Sequence, residues 1–221
     1  MLNKPQLNTR QVAHHVLFLR CMLSMALIFA TVFHVQAQNR FDAIAFVGMN
    51  MSQIDGDGAG NYNHIGLHAG IGTTFSIDAD GLSPWRIGIA VGFSQKGSYI
   101  EASNRQLSAN YVEIPISVGY TALNGQLRLS TGIAPALLVG ASVTNNGIDD
   151  RASSDNFKKV DALPFFVYAT YFLSHHWGVG AQWQTSMLSI TKQNGSGTYR
   201  IWRENKGAFN RLFSLHLAYK F

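Results

Sequence analysis

The stretch Phe209-Asn-Arg-Leu-Phe-Ser-Leu-His-Leu-Ala-Tyr-Lys-Phe221 decides the fold. One set of alternate positions holds Phe209, Phe213, Leu215, Leu217, Tyr219 and Phe221, broken only by Arg211. The other set holds Asn210, Leu212, Ser214, His216, Ala218 and Lys220. A period of two sustained this long predicts a β-strand with one greasy and one mostly polar face. What the greasy face touches has to come from the rest of the chain.

Working outward, seven further segments precede it, separated by Gly, Asn, Asp and Ser. In Phe41 to Ser52, Ala43, Ala45, Val47, Met49 and Met51 oppose Gly48, Asn50 and Ser52. In the second, Ile65, Leu67, Ala69, Ile71, Phe75 and Ile77 oppose His64, His68 and a run of Gly, Thr and Ser. The third sets Trp85, Ile87, Ile89, Val91 and Phe93 against Arg86, Gly88, Ala90, Gly92, Ser94 and Lys96. The fourth sets Val112, Ile114, Ile116, Val118 and Tyr120 against Tyr111, Glu113, Pro115, Ser117 and Gly119. The fifth, Gln126 to about Val143, sets Leu127, Leu129, Ile133, Leu137 and Val139 against Arg128, Ser130, Gly132, Ala134 and Gly140. The sixth, Pro164 to Ser174, is apolar throughout, so its faces stay open. The seventh sets Trp177, Val179, Ala181, Trp183 and Met187 against Gly178, Gly180, Gln182, Gln184 and Ser186. An apolar outside over a small, polar inside is the transmembrane barrel pattern, and these segments reach the ~9–11 residues that a tilted strand needs to span.

The connections alternate long and short. Polar gaps at Asp55–Asn63, Ser98–Ala109, Thr144–Leu163 and Thr191–Ala208 are long; Asp78–Pro84, Asn124-Gly125 and His175-His176 are short. A closed, all-β, antiparallel up-and-down transmembrane barrel of about eight strands gives this alternation when short turns face the periplasm and long loops face outside. Trp85, Tyr120, Trp177 and Phe221 near the ends of apolar faces fit an interfacial aromatic girdle. Pro115 and Pro135 sit inside strands, where each removes a ladder hydrogen bond, so local bulges are expected there.

Composition agrees. Of 221 residues only 13% are charged, against about 25% in soluble proteins. Residues 1–37 read as a signal peptide: Lys4, Arg10 and Arg20 form a basic region, Cys21–Val35 is an apolar run too short to span, and Val35-Gln36-Ala37 is a cleavage site. The domain of interest is then 38–221. Without the three leader cations, 14 basic residues meet 12 acidic ones, a net of +2, which argues against a nucleic-acid partner. The only Cys lies in the leader, so neither a disulfide nor a thiol nucleophile is expected.

An eight-stranded interior is only wide enough for side chains to fill. Glu113 is the clear inward acid among several bases, and an interior charge cluster of Glu113, Lys96, Arg86 and Arg128 is expected, with Lys96 a diagonal neighbour of Glu113. Asp55-Gly56-Asp57-Gly58 lacks the later ligands of a calcium loop. His64 and His68 lie ~13 Å apart along a strand, too far to share an ion. No metal or cofactor is expected. Ser214 and His216 share a face, but it points inward with no acid placed beside them, so no catalytic residue is assigned. Tyr199, Arg200, Trp202, Arg203 and Lys206 mix aromatics and cations in the last loop, suited to lipopolysaccharide phosphates or an envelope protein, or equally to a solvated hairpin that extends the seventh and eighth strands.

Gly48-Met-Asn-Met-Ser52, Asp55-Gly-Asp-Gly, Gly66-Leu-His-Ala-Gly70, Gly92-Phe-Ser-Gln-Lys-Gly97 and Tyr111-Val-Glu-Ile-Pro115 resemble the PorT-like outer-membrane β-barrel family over roughly Phe41 to Phe221. The resemblance implies an outer-membrane barrel, a proline at position 115, no catalytic or cofactor residues, and a link to protein secretion through the founding members. The expectation is an integral barrel acting as a structural or interaction module, accessory to secretion or envelope organisation and in contact with outer-membrane lipid. The alternatives are a lipid-modifying enzyme and a soluble lipocalin-like carrier. Tyr219 and Phe221 are the expected signal to the barrel assembly machinery.

Overall fold

Strands of this composition, with β-branched and aromatic residues on one face and Gly, Ser and Thr on the other, can satisfy their backbone groups in lipid only by pairing on both edges. A computed structural model shows how they do so; it describes residues 41–56, 62–78, 81–151, 155–192 and 207–221. The expected signal peptide and the cationic-aromatic residues Tyr199 to Lys206 lie outside the described residues, as does Asp57 to Asn61.

Eight antiparallel strands close on themselves. They are β1 (Phe41–Asp55), β2 (His64–Ser76), β3 (Trp85–Ile100), β4 (Arg105–Glu113 continued as Ile116–Ala122), β5 (Leu127–Ile133 continued as Ala136–Asn145), β6 (Val160–Asp161 continued as Pro164–Phe172), β7 (Trp177–Ser186) and β8 (Phe209–Lys220). Each pairs with its sequence neighbours, and β8 returns to β1 with Asn50 opposite Ser214 and Ala45 opposite Tyr219. Each of the eight strands thus has a partner on both sides.

The outward face is the one that alternation predicted. Leu215 and Leu217 are each 52% exposed, as an apolar lipid-facing side chain is, while Ser214 and His216, which alternate with them, are buried inside. The same inside-outside split resolves the sixth segment. There Val167 and Tyr171 face out, and Phe166, Thr170 and Phe172 are buried in the lumen.

Three expectations need correction. The Ser98–Ala109 connection is not a long loop: β3 and β4 run on as a paired hairpin to a turn at Glu101–Asn104, because their polar residues continue the ladder past the apolar belt. The Thr144–Leu163 connection likewise begins with a hairpin, Ile148–Asp149 pairing back onto β5 through Asn146 and Gly147, both at positive φ. Third, Pro115 makes no bulge. Gly92 opposes Glu113 and Ile89 opposes Ile116, so the register is continuous across it. Its carbonyl still accepts from Ala90 N at 3.0 Å, so only the proline's own donor is missing. Near Pro135, one extra residue enters on β6, since Phe165 opposes Ile133 but Asp161 opposes Ala136. A further irregularity lies at Asn110/Tyr111, where Gly140 and Leu138 are the partners and Val139 is the extra residue. Beyond it the alternation of β5 inverts, which turns Val143 inward and takes Gly140 off the lumen side expected for it.

The girdle forms at the short-turn end. Trp85 meets Tyr120 edge-on at 5.2 Å, and Tyr219 meets Trp177 at 4.9 Å and Phe221 at 5.0 Å.

Candidate functional site

The lumen is the only place where this scaffold gathers chemically active side chains among the described residues, and it is built in layers. At the long-loop end, Ile54, Leu107, Val143, Phe157 and Ile190 form an apolar plug. Phe157 reaches it because the β5–β6 connection folds back and pairs with Thr191. Sequence alternation missed this plug, since Leu107 and Phe157 lay in stretches read as loops.

Below the plug sits a polar layer. Lys96 Nζ lies 2.6 Å from Glu113 Oε1, both side chains sealed from solvent. Gln184 Nε2 donates to the same carboxylate oxygen at 3.0 Å, and Gln182 Nε2 donates to Gln184 Oε1 at 2.8 Å. The Lys96 ammonium also stands 5.0 Å from the centre of the Tyr111 ring. Lys96 is opposite Ala109, however, so Glu113 is four residues along β4 and not the diagonal neighbour expected; the long lysine side chain covers the difference. Nor is Glu113 the sole inward acid. Asp161 is buried close by, accepting from Ser186 Oγ, and it escaped notice because it was placed in a loop.

In the next layer Ser214 Oγ donates to Asn50 Oδ1 at 2.6 Å, and Asn50 Nδ2 donates to Ser94 Oγ at 2.8 Å. His216 stacks on Tyr168 at 5.1 Å, and His68 stacks on Phe46 at 5.0 Å. The Ser214 hydroxyl is thus directed at an amide oxygen and not at His216. A nucleophile needs a base in hydrogen-bond reach, and this pair does not supply one.

Arg86 and Arg128 do not join the Lys96–Glu113 layer. They sit at the short-turn end, where Arg86 Nη1 lies 3.0 Å and Arg128 Nη2 2.6 Å from the same oxygen of Asp42. Arg86 and Lys96 are ten residues apart on β3, ~33 Å of extended chain, so one cluster could not hold all four. Asp42 was the overlooked partner; its place in the inward set of β1 was the available signal. Between the two charged layers lies a cavity of about 80 Å³ bordered by Phe46, His68, Arg128, Phe166 and Tyr168. That is well below the ~300–1,000 Å³ of a small-molecule site. No group of three or more His, Cys, Asp or Glu able to hold a metal occurs among the described residues.

A family described as "Outer membrane protein beta-barrel domain" matches residues 36–192 of the chain. No curated protein matches it. Among solved structures, the chain is similar to Ail, the attachment invasion locus protein of Yersinia pestis, at 13% identity, covering 82% of this chain and 99% of that one with a TM-score of 0.48. It is also similar to Neisserial surface protein A, at 12% identity, 82% and 97% coverage and a TM-score of 0.47. A third similarity is to OprG of Pseudomonas aeruginosa, at 12% identity, 82% and 96% coverage and a TM-score of 0.42.

Proposed function

The chain belongs to the outer membrane protein beta-barrel domain family and is an integral outer-membrane barrel; from that premise we propose that it acts as a structural or interaction module of the envelope, accessory to secretion or envelope organisation in the manner of PorT-like barrels. The observation that supports this reading is the stopped lumen. An apolar plug closes one end, paired charges fill the layers below, and the space left between holds no more than a few water molecules. A barrel so filled offers its loops and rims as working surfaces, not a path through its centre. The long loops then face lipopolysaccharide or an envelope protein, and the apolar outer face contacts lipid.

Site-specific photo-crosslinking from the long loops in the intact outer membrane, alongside planar-bilayer conductance, tests the proposal. A discrete crosslinked envelope partner with no unitary conductance is the expected result. Stable open-channel currents would reject it.

Tyr219 and Phe221 carry the second part of the reading. They extend the closing strand as an outward aromatic pair at the short-turn rim, with Phe221 N donating to Ala43 O at 3.0 Å. An exposed aromatic end on the last strand to pair is a suitable handle for the barrel assembly machinery.

A further inference from the structure

The charged side chains facing the lumen at the short-turn end do not balance. Arg86 and Arg128 share Asp42, while Lys220 Nζ stands 5.3 Å from the centre of the Phe172 ring, against which Arg128 Cζ also rests at 5.6 Å. Three cations thus meet one carboxylate among the described residues of this layer. Asp78, in the adjoining turn, is held there by Ser76 Oγ and Ser83 N.

The donors are also incompletely used. The Arg128 side chain is only 4% exposed, yet its Nε has no hydrogen-bond partner. Neither has Nε of Arg86 or the hydroxyl of Thr121, which lies opposite Arg128 in register. Buried guanidinium donors left without acceptors, and buried charge left without its counter-charge, are both costly.

We propose that this mouth is a phosphate site, in which Arg86, Arg128 and Lys220 surround one phosphate group and Thr121 donates to it. A phosphate group carries about −1.5 to −2 charges near pH 7, which matches the excess of two, whereas a single carboxylate would leave half of it. The guanidinium fork is shaped for phosphate oxygens. The site is reachable, since Arg86 lines a surface hollow of about 450 Å³ and Lys220 one of about 300 Å³, which meet at Asn124 and Gly125. The group comes either as free phosphate or as the phosphomonoester headgroup of a lipid, which alone among lipid phosphates can carry the second charge and which the neighbouring Trp85–Tyr120 pair would place at the right height.

The test uses the full chain folded in a non-ionic detergent without phosphate, its fold checked by heat-modifiable gel mobility. Inorganic phosphate is titrated in one arm and short-chain phosphatidic acid, a phosphomonoester, in the other, both followed by phosphorus NMR. Saturable one-site binding of at least one probe is expected, weakened about tenfold or more by Lys220→Gln and by Arg86→Gln. The tighter probe identifies the source. Should Arg86→Gln fail to fold, Lys220→Gln decides alone, since Lys220 has no ion pair among the described residues. The proposal is overturned by a folded protein that binds neither probe, or by binding that Lys220→Gln leaves unchanged.

Discussion

Lys96 and Glu113 meet ammonium to carboxylate at 2.6 Å inside the barrel, and neither side chain reaches solvent. Removing one partner leaves the other charge buried and alone, which costs ~3–5 kcal/mol. Glu113→Leu and Lys96→Met should each lower the free energy of urea unfolding by that order, and the double variant should recover most of the loss. Tryptophan fluorescence in detergent micelles measures it. Equal losses that simply add in the double variant would mean that the pair is not coupled.

The lipid face gives a second outcome. Leu215 is an exposed apolar residue four positions before the girdle residue Tyr219 on β8. Leu215→Arg should destabilise the folded barrel in bilayers by ~2–4 kcal/mol, the cost of arginine near the midplane. The same substitution in Phe221, at the interface, should cost no more than ~1 kcal/mol. Folding titrations in lipid vesicles separate the two, and equal costs would contradict the assigned depth.

Glycines of β1 and β7 make room at the closing seam. A Cβ at Gly48 would stand 2.0 Å from the Leu215 carbonyl oxygen, whereas one at Gly180 would stand 2.2 Å from His216 Nε2. Backbone cannot give way as a ring can. Gly48→Ala should therefore cost ~1–3 kcal/mol and Gly180→Ala less, read from unfolding midpoints. The reverse order would show that the His216 ring, stacked on Tyr168, is the more rigid of the two.

Acid should loosen one short turn. The Asp78 carboxyl is held below its ordinary value, chiefly by the Ser76 hydroxyl and further by Ser83 N–H. A depressed carboxylate pKa contributes stability that is present above the unfolded value of about 3.9 and lost as pH falls through the folded value. Amide exchange at Ser83 should rise relative to neighbouring turns below about pH 4. In Asp78→Asn that extra acid sensitivity should vanish; its persistence would assign the effect elsewhere.

Deleting Phe221 should lower the yield of heat-modifiable protein in the membrane before it lowers the stability of what is inserted. Comparing membrane fractions with unfolding midpoints of purified protein tests this. Normal insertion would remove the assembly role proposed for the Tyr219–Phe221 pair.

Much was legible along the chain because a strand's side chains alternate with a period of two whatever their neighbours are. That regularity placed Leu215 outside and Ser214 inside, and loop lengths ordered the strands. It failed where the period carried no contrast, as in Phe165-Phe166-Val167-Tyr168, or where a register irregularity inverted it, as beyond Val139. Polar residues that continue a strand past the lipid belt, such as Arg105 and Gln106, look like loop until the opposite strand is seen to pair with them.

By itself, then, the sequence determined an eight-stranded barrel and which face meets lipid, since each follows from local pattern and composition. Only the tertiary structure decided which charges meet. Lys96 beside Glu113 was within reach of hairpin counting, but Arg86 and Arg128 converged on Asp42 from β3 and β5, because closure of the ring brings residues far apart in sequence across the lumen. Those pairings depend on strand stagger and side-chain reach, quantities that no single strand contains.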